Sequence, residues 1–128
     1  MKIRIKNGLP YVSATLVHHR QRVTLKNVLL DTGSAGTIFS TDRVAAIGLT
    51  YEPDDFVHRI RGVGGSEFVF TKRADELKVG ELKVTGFELE VGAMNYGFDM
   101  DGIIGLDFLM KVGALVDLDE MELRAATR

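Results

Sequence analysis

The sequence predicts an all-β protein: a small closed β-barrel with one or two short helices. Three observations carry that expectation. The dominant hydrophobic period is two, the repeat of a half-buried strand. The apolar runs are short and are separated by turn signals rich in Gly, Asn and Asp. Only two stretches carry helix punctuation. Many short strands with frequent turns are the pattern of a small barrel.

Taken in order, Ile3 and Ile5 alternate with Lys2, Arg4 and Lys6. Gly8-Leu9-Pro10 reads as a turn. Tyr11 to Val17 and Val23 to Leu30 read as strands joined by a polar turn around His19-Arg20-Gln21. Thr37-Ile38-Phe39 is a further short extended run. Thr41 is placed to cap a helical segment from Asp42 to Ile47, with Gly48 to end it. Phe56 to Ile60 and Phe68 to Phe70 flank Gly62-Val63-Gly64-Gly65, the signature of a hairpin with a glycine-rich tip. Leu77 to Val79 and Leu82 to Val91 flank Gly80-Glu81, another hairpin. Gly105 to Val112 is the second helical segment, with Leu106, Leu109 and Met110 on one face and Gly113 at its exit. Ala114 to Leu118 and Met121 to Leu123 form a last hairpin through Asp119-Glu120. A short echo links Val28-Leu29-Leu30-Asp31-Thr32-Gly33 to Ile103-Ile104-Gly105: each is an apolar run ending in Gly, with a helix soon after.

Composition narrows the function. The chain has 128 residues, the length of one domain, so residues 1–128 are expected to form a single unit. A 14.1 kDa monomer should expose roughly 6,700 Å² when folded. There are no cysteines, which excludes disulfides, thiol nucleophiles and Cys-based zinc sites. Sixteen basic against eighteen acidic side chains give a net charge of −2, not the basic excess of a nucleic-acid binder. The N-terminus has no continuous apolar segment of the signal-peptide kind, and no window approaches a membrane span. The expectation is a cytoplasmic protein that binds neither nucleic acid nor membrane. His18 and His19 are neighbours on a strand and should point to opposite faces. Asp99, Asp101 and Asp107 lack the spacing of a divalent site, and neither metal nor cofactor is expected. Gly62 to Ser66 lacks the Gly-Lys-Ser/Thr ending of a phosphate loop. Ser34 has no histidine at a spacing that makes a serine triad.

Leu29-Leu30-Asp31-Thr32-Gly33-Ser34 is the unusual stretch. An acid directly after a buried strand is costly unless it is paired or functional. As a purely structural element, it reads as an Asp-Thr-Gly turn in which the carboxylate accepts backbone hydrogen bonds.

Asp31-Thr32-Gly33-Ser34 resembles the active-site signature of aspartic proteases. Arg61-Gly62-Val63-Gly64-Gly65-Ser66 resembles their glycine-rich flap, and Gly102-Ile103-Ile104-Gly105-Leu106-Asp107-Phe108-Leu109 their "two apolars, then Gly" element with its helix. With one signature in a chain of one lobe's length, the protein resembles the retropepsins, single-lobe retroviral-type proteases. The resemblance implies an acid-protease barrel and a homodimer that hydrolyses peptide or protein substrates. It implies catalytic roles for Asp31, Thr32 and Gly33. It implies substrate contacts from Gly33, Ser34, the flap residues Gly62, Val63, Gly64 and Gly65, and Ile104 at a pocket edge. Ser34 matches the cellular pepsin-like type, where its hydroxyl is expected to donate to the outer carboxylate oxygen.

The C-terminal segment departs from that family. Retroviral subunits end in short interleaved strands, whereas Gly113 to Leu123 reads as a hairpin with an acidic turn. The strand Lys2 to Lys6 is free to pair with that hairpin inside one subunit. The alternatives to a protease are a catalytically silent peptide-binding or dimerisation module on the same fold, or a barrel that binds a small ligand.

Overall fold

The computed structural model describes residues 1–62, 65–94 and 99–126. Its strands are β1 (Arg4–Lys6), β2 (Leu9–His18), β3 (Gln21–Leu30), β4 (Ile38–Ser40), β5 (Val57–Gly62), β6 (Gly65–Val79), β7 (Leu82–Gly92), β8 (Gly102–Ile104), β9 (Ala114–Asp117) and β10 (Glu122–Ala125). The helices are α1 (Thr41–Val44), continued by a 3₁₀ turn at Ala45–Ile47, and α2 (Leu106–Lys111). Six strands close a ring in the order β2-β3-β8-β4-β7-β6, and β6 returns to β2 through Thr15, Leu16 and Val17 opposite Lys78, Leu77 and Glu76. The expected closed all-β barrel is therefore present. β1 and β5 extend the ring outward from β2 and β6.

The barrel interior follows from the strand period. Leu16, Val28, Phe39, Leu77 and Phe108 retain no exposed surface. In β7 the buried positions change parity, from Leu82 and Val84 to Phe87, Leu89 and Val91. Gly86 lies at the change with a φ of +58°, a backbone state that L side chains rarely adopt. The strand thus turns its apolar side over at one glycine and follows the barrel wall round. The facing strand changes with it, from Leu77 and Val79 to Ala74.

Several local expectations need correction. The first turn uses Asn7 and Gly8, both at positive φ, and Leu9 and Pro10 already belong to β2. Pro10 is tolerated because it lies near the start of its strand. The next turn uses His19 and Arg20 alone, with φ of +48° and +67°. That conformation ends the alternation, so the rings of His18 and His19 stack at 3.9 Å and do not diverge. Thr41 is the first helical residue; Ser40 holds the cap position, without a side-chain bond. Gly48 ends the segment at φ +87°, as expected. The two short runs at 68–70 and 77–79 are one long strand, because the polar stretch between them pairs with β7, Thr71 opposite Glu90 and Arg73 opposite Glu88. In α2 the core side carries Phe108 and Leu109, whereas Leu106 is 38% and Met110 74% exposed.

The terminal hairpin forms as the sequence implies, with β9 and β10 paired from Ala114–Ala125 to Asp117–Glu122. The N-terminus lies along it: Lys2 bridges to Glu122, and the Ile3 amide donates to the Met121 carbonyl at 2.8 Å.

Candidate active site

β3 and β8 run parallel, with Val28, Leu29 and Leu30 beside Gly102, Ile103 and Ile104. The two echoing segments of the sequence are therefore neighbours. The pairing extends one residue past the strand, where the Asp31 amide donates to the Ile104 carbonyl at 3.0 Å. Buried Leu30 and Val28 anchor this strand end in the core, and the chain then turns outward. The Gly33 amide donates to Asp31 Oδ1 at 2.9 Å and the Ser34 amide to the Asp31 carbonyl at 3.2 Å. Among the described residues, Oδ2 takes no hydrogen bond. Asp31 is half-buried, and Thr32 and Gly33 beside it are exposed. A Cβ on Gly33 would lie 3.2 Å from Oδ1, so glycine lets the turn close on the carboxylate.

Beneath the loop, β8 and α2 form a tight support. A Cβ on Gly105 would lie 2.4 Å from the Gly36 carbonyl oxygen and 2.7 Å from that of Ser34. No side chain fits between them. The Leu106 amide donates to the Ser34 carbonyl at 2.8 Å. Thr37, fully buried, donates its hydroxyl to Asp107 Oδ1 at 2.7 Å and accepts the Gly105 amide at 3.1 Å. Its own amide donates to Asp107 Oδ2 at 3.1 Å. Asp107 also accepts the Phe108 amide at the start of α2. Asp107 therefore joins the loop to the helix, beyond the favourable place at the positive helix end that its position indicates. Thr37 and Asp107 were not among the sequence-derived site residues. The available signal was an acid two residues after the glycine that follows the apolar pair.

The structure separates the remaining expectations. The Ser34 hydroxyl donates to the Gly36 carbonyl at 2.7 Å, not to the Asp31 carboxylate. Its bond closes the loop, because the two groups are held within one turn. Ile104 has no exposed surface and forms a floor under Asp31, so it does not line an open pocket. Strand alternation turns Ile103 the other way, where it packs with Ile38, Val69 and Met94 beside Ile60 and Met100. Ile60 belongs to β5 and Val69 to β6, so this second apolar cluster joins the hairpin base to the strands beside the loop. Gly62 and Gly65 form the last pair of that hairpin. Val63 and Gly64, expected at its tip, lie outside the described residues. A hollow of about 300 Å³ lined by Ser13, Thr15, Arg22, Thr24, Glu76 and Lys78 shares no residue with the loop.

No curated protein matches this chain. A family model described as "Aspartyl protease" matches residues 17–108, from the end of β2 through the first turn of α2. The match contains the Asp-Thr-Gly loop, the glycine-rich hairpin and the support beneath the loop, and it spans well over half of the chain. The chain belongs to this aspartyl protease family of the retropepsin-like clan.

Proposed function

We propose that the protein is an aspartic endopeptidase whose working unit is a homodimer of residues 1–128, each a single domain. The observation that carries this reading is the single Asp31 per chain on an exposed, rigidly supported loop. Peptide hydrolysis without a side-chain nucleophile proceeds by direct attack of an activated water. One carboxylate cannot serve as base and acid together. Two carboxylates about 3 Å apart share one proton, because like charges at that distance oppose double ionisation. The ionised member takes a proton from water while the protonated member polarises the scissile carbonyl. A two-fold axis beside Asp31 supplies the second member from the partner.

Each neighbour has a role in this scheme. Exposed Thr32 meets the partner's loop across the axis. Gly33 gives the substrate backbone close access to the carboxylates. Ser34 keeps the loop closed through its bond to Gly36. The hairpin tip, Gly62 to Gly65, covers the substrate and excludes water. Ile104 supports the loop from below, and partly exposed Ile103 offers an apolar surface to a substrate side chain. Apolar residues flanking the cleaved bond follow from that surface.

The test compares wild type with Asp31→Asn on fluorogenic peptides from acidic to neutral pH. Loss of activity on the order of a thousandfold or more is expected for the variant. Equal cleavage by both proteins would contradict the reading. Peptide binding without cleavage by either would favour the silent module.

A further inference from the structure

The glycine-rich hairpin overhangs its sheet. β5 and β6 pair from Val57–Phe70 to Gly62–Gly65, but the pairing of β6 with β7 reaches only to Val69. Residues 59–62 and 65–68 therefore form a two-stranded extension, which is marginally stable by itself. Where it lies over the Asp31 loop depends on what holds its root. His58 stands at that root, opposite Val69.

From β5, His58 reaches past β6 to β7, where its Nε2 lies 3.1 Å from Glu90 Oε1. The two side chains are 30% and 24% exposed, so salt and water screen this pair less than one on open surface. His58 Nδ1 is buried with no hydrogen-bond partner among the described residues, and the ring packs on Phe56 with centroids 5.3 Å apart. Glu90 is thus the polar anchor of that ring. Glu90 in turn abuts the loop that carries Asp31. Its amide donates to the Thr37 carbonyl at 2.9 Å, and a Cβ on Gly36 would lie 4.0 Å from its Cγ. Its Oε2 accepts the Thr71 hydroxyl at 3.2 Å, which holds the carboxylate over β6. Two further contacts steady the extension: Ile60 packs in the cluster with Ile103, and the Met94 amide donates to Glu67 Oε2 at 3.2 Å. These lie farther along the hairpin, whereas His58 ties its root.

We propose that His58 and Glu90 are positioning residues: their pair fixes the root of the hairpin against the Asp31 loop and so sets how the hairpin closes over a bound peptide. This inference rests on the peptidase reading and adds which side chains place its cover. Neither residue acts on the reacting atoms. Their effect falls on substrate binding, because a loosened hairpin must be ordered again at each closure.

Amide hydrogen exchange on the free protein and kinetics on fluorogenic peptides test it, both at about pH 5, below the ordinary titration of histidine. The proteins are wild type, His58→Ala, Glu90→Leu, the double variant, His58→Lys and Lys83→Ala. The last removes a different ion pair of β7, to Glu76 at 3.9 Å. His58→Ala and Glu90→Leu should each speed exchange in residues 59–68 about tenfold and leave β2, β3 and β8 unchanged. Each should raise KM about fivefold with kcat within about twofold of wild type. The double variant should be no worse than the poorer single one. His58→Lys, which keeps a cation beside Glu90, should restore KM, and Lys83→Ala should not move it. Unchanged hairpin exchange in both single variants would overturn the tie. Faster exchange with KM unmoved, or a fall in kcat alone, would overturn the positioning role and leave the peptidase reading standing. A wild type that cleaves no peptide would overturn that reading and this proposal together. Should Glu90→Leu not fold, Glu90→Gln decides, since it keeps the shape and removes the charge: a raised KM supports the proposal and an unchanged one refutes it.

Discussion

Thr37 has no exposed surface, so its hydroxyl depends wholly on protein partners. It bonds both the Asp107 carboxylate and the Gly105 amide. Thr37→Val keeps the shape and removes both bonds, leaving a half-buried carboxylate short of a donor. A loss of about 2 kcal/mol is expected by chemical denaturation, with Thr37→Ser much closer to wild type. Gly105→Ala is more severe, because its Cβ meets two backbone carbonyls that cannot move aside; about 3 kcal/mol is expected by the same measurement. His18 makes a prediction about pH. Burial, and then the neighbouring His19, hold it below its ordinary 6.5, and its Nδ1 is buried without a partner. As pH falls through that value the unfolded chain takes up the proton first, so stability falls until the folded histidine also protonates. Between about pH 7.5 and about pH 5, wild type should lose more stability than His18→Gln, and equal slopes would count against this. At this scale the sequence made the Asp-Thr-Gly turn legible, since the Asp31 carboxylate accepts the Gly33 amide as such a turn requires. Thr37 was not legible, because a threonine before Ile38 and Phe39 looks like an ordinary strand former. Ser34 was misread because its hydroxyl has a backbone acceptor two residues away that only the folded loop reveals.

Strands were easier to read than their joints. β2, β3 and β7 follow from alternation, but periodicity is blind to the backbone state of a turn. His19 and Arg20 hold positive φ angles that suit a tight hairpin yet disfavour both residue types. Replacing them by Asn-Gly should stabilise the protein by about 1 kcal/mol, visible as a raised Tm, provided the bond from the residue 19 amide to Asp75 is retained. An unchanged or lowered Tm would show that the stacked His18 and His19 rings outweigh the turn strain. The parity change in β7 was present in the sequence as Val84, then Phe87, with Gly86 between them. It reads as an error in alternation until the barrel requires a turn there. Which side of α2 the barrel covers was not legible, because Phe108 and Met110 are both apolar and only the barrel decides between them.

At the scale of the molecule, ring closure explains why the loop can be both exposed and rigid. β3 and β8 are held in a closed wall, so the Asp31 turn projects from a fixed strand end while Gly105 and Thr37 brace it from below. The barrel was legible in outline from strand count and turns. Its closure through β2 and β6 was not, since those segments are far apart in the chain and pair only in three dimensions. On the proposed reading the Asp31 of each barrel is half of a two-carboxylate site, and mixing tests this most directly. Wild type is equilibrated with about a ninefold excess of Asp31→Asn protein at fixed wild-type amount, above the dimer Kd. Random pairing leaves about one wild-type subunit in ten with a wild-type partner, so activity should fall to about a tenth. Activity that stays at its original level, with mixed dimers shown to form, would contradict the account.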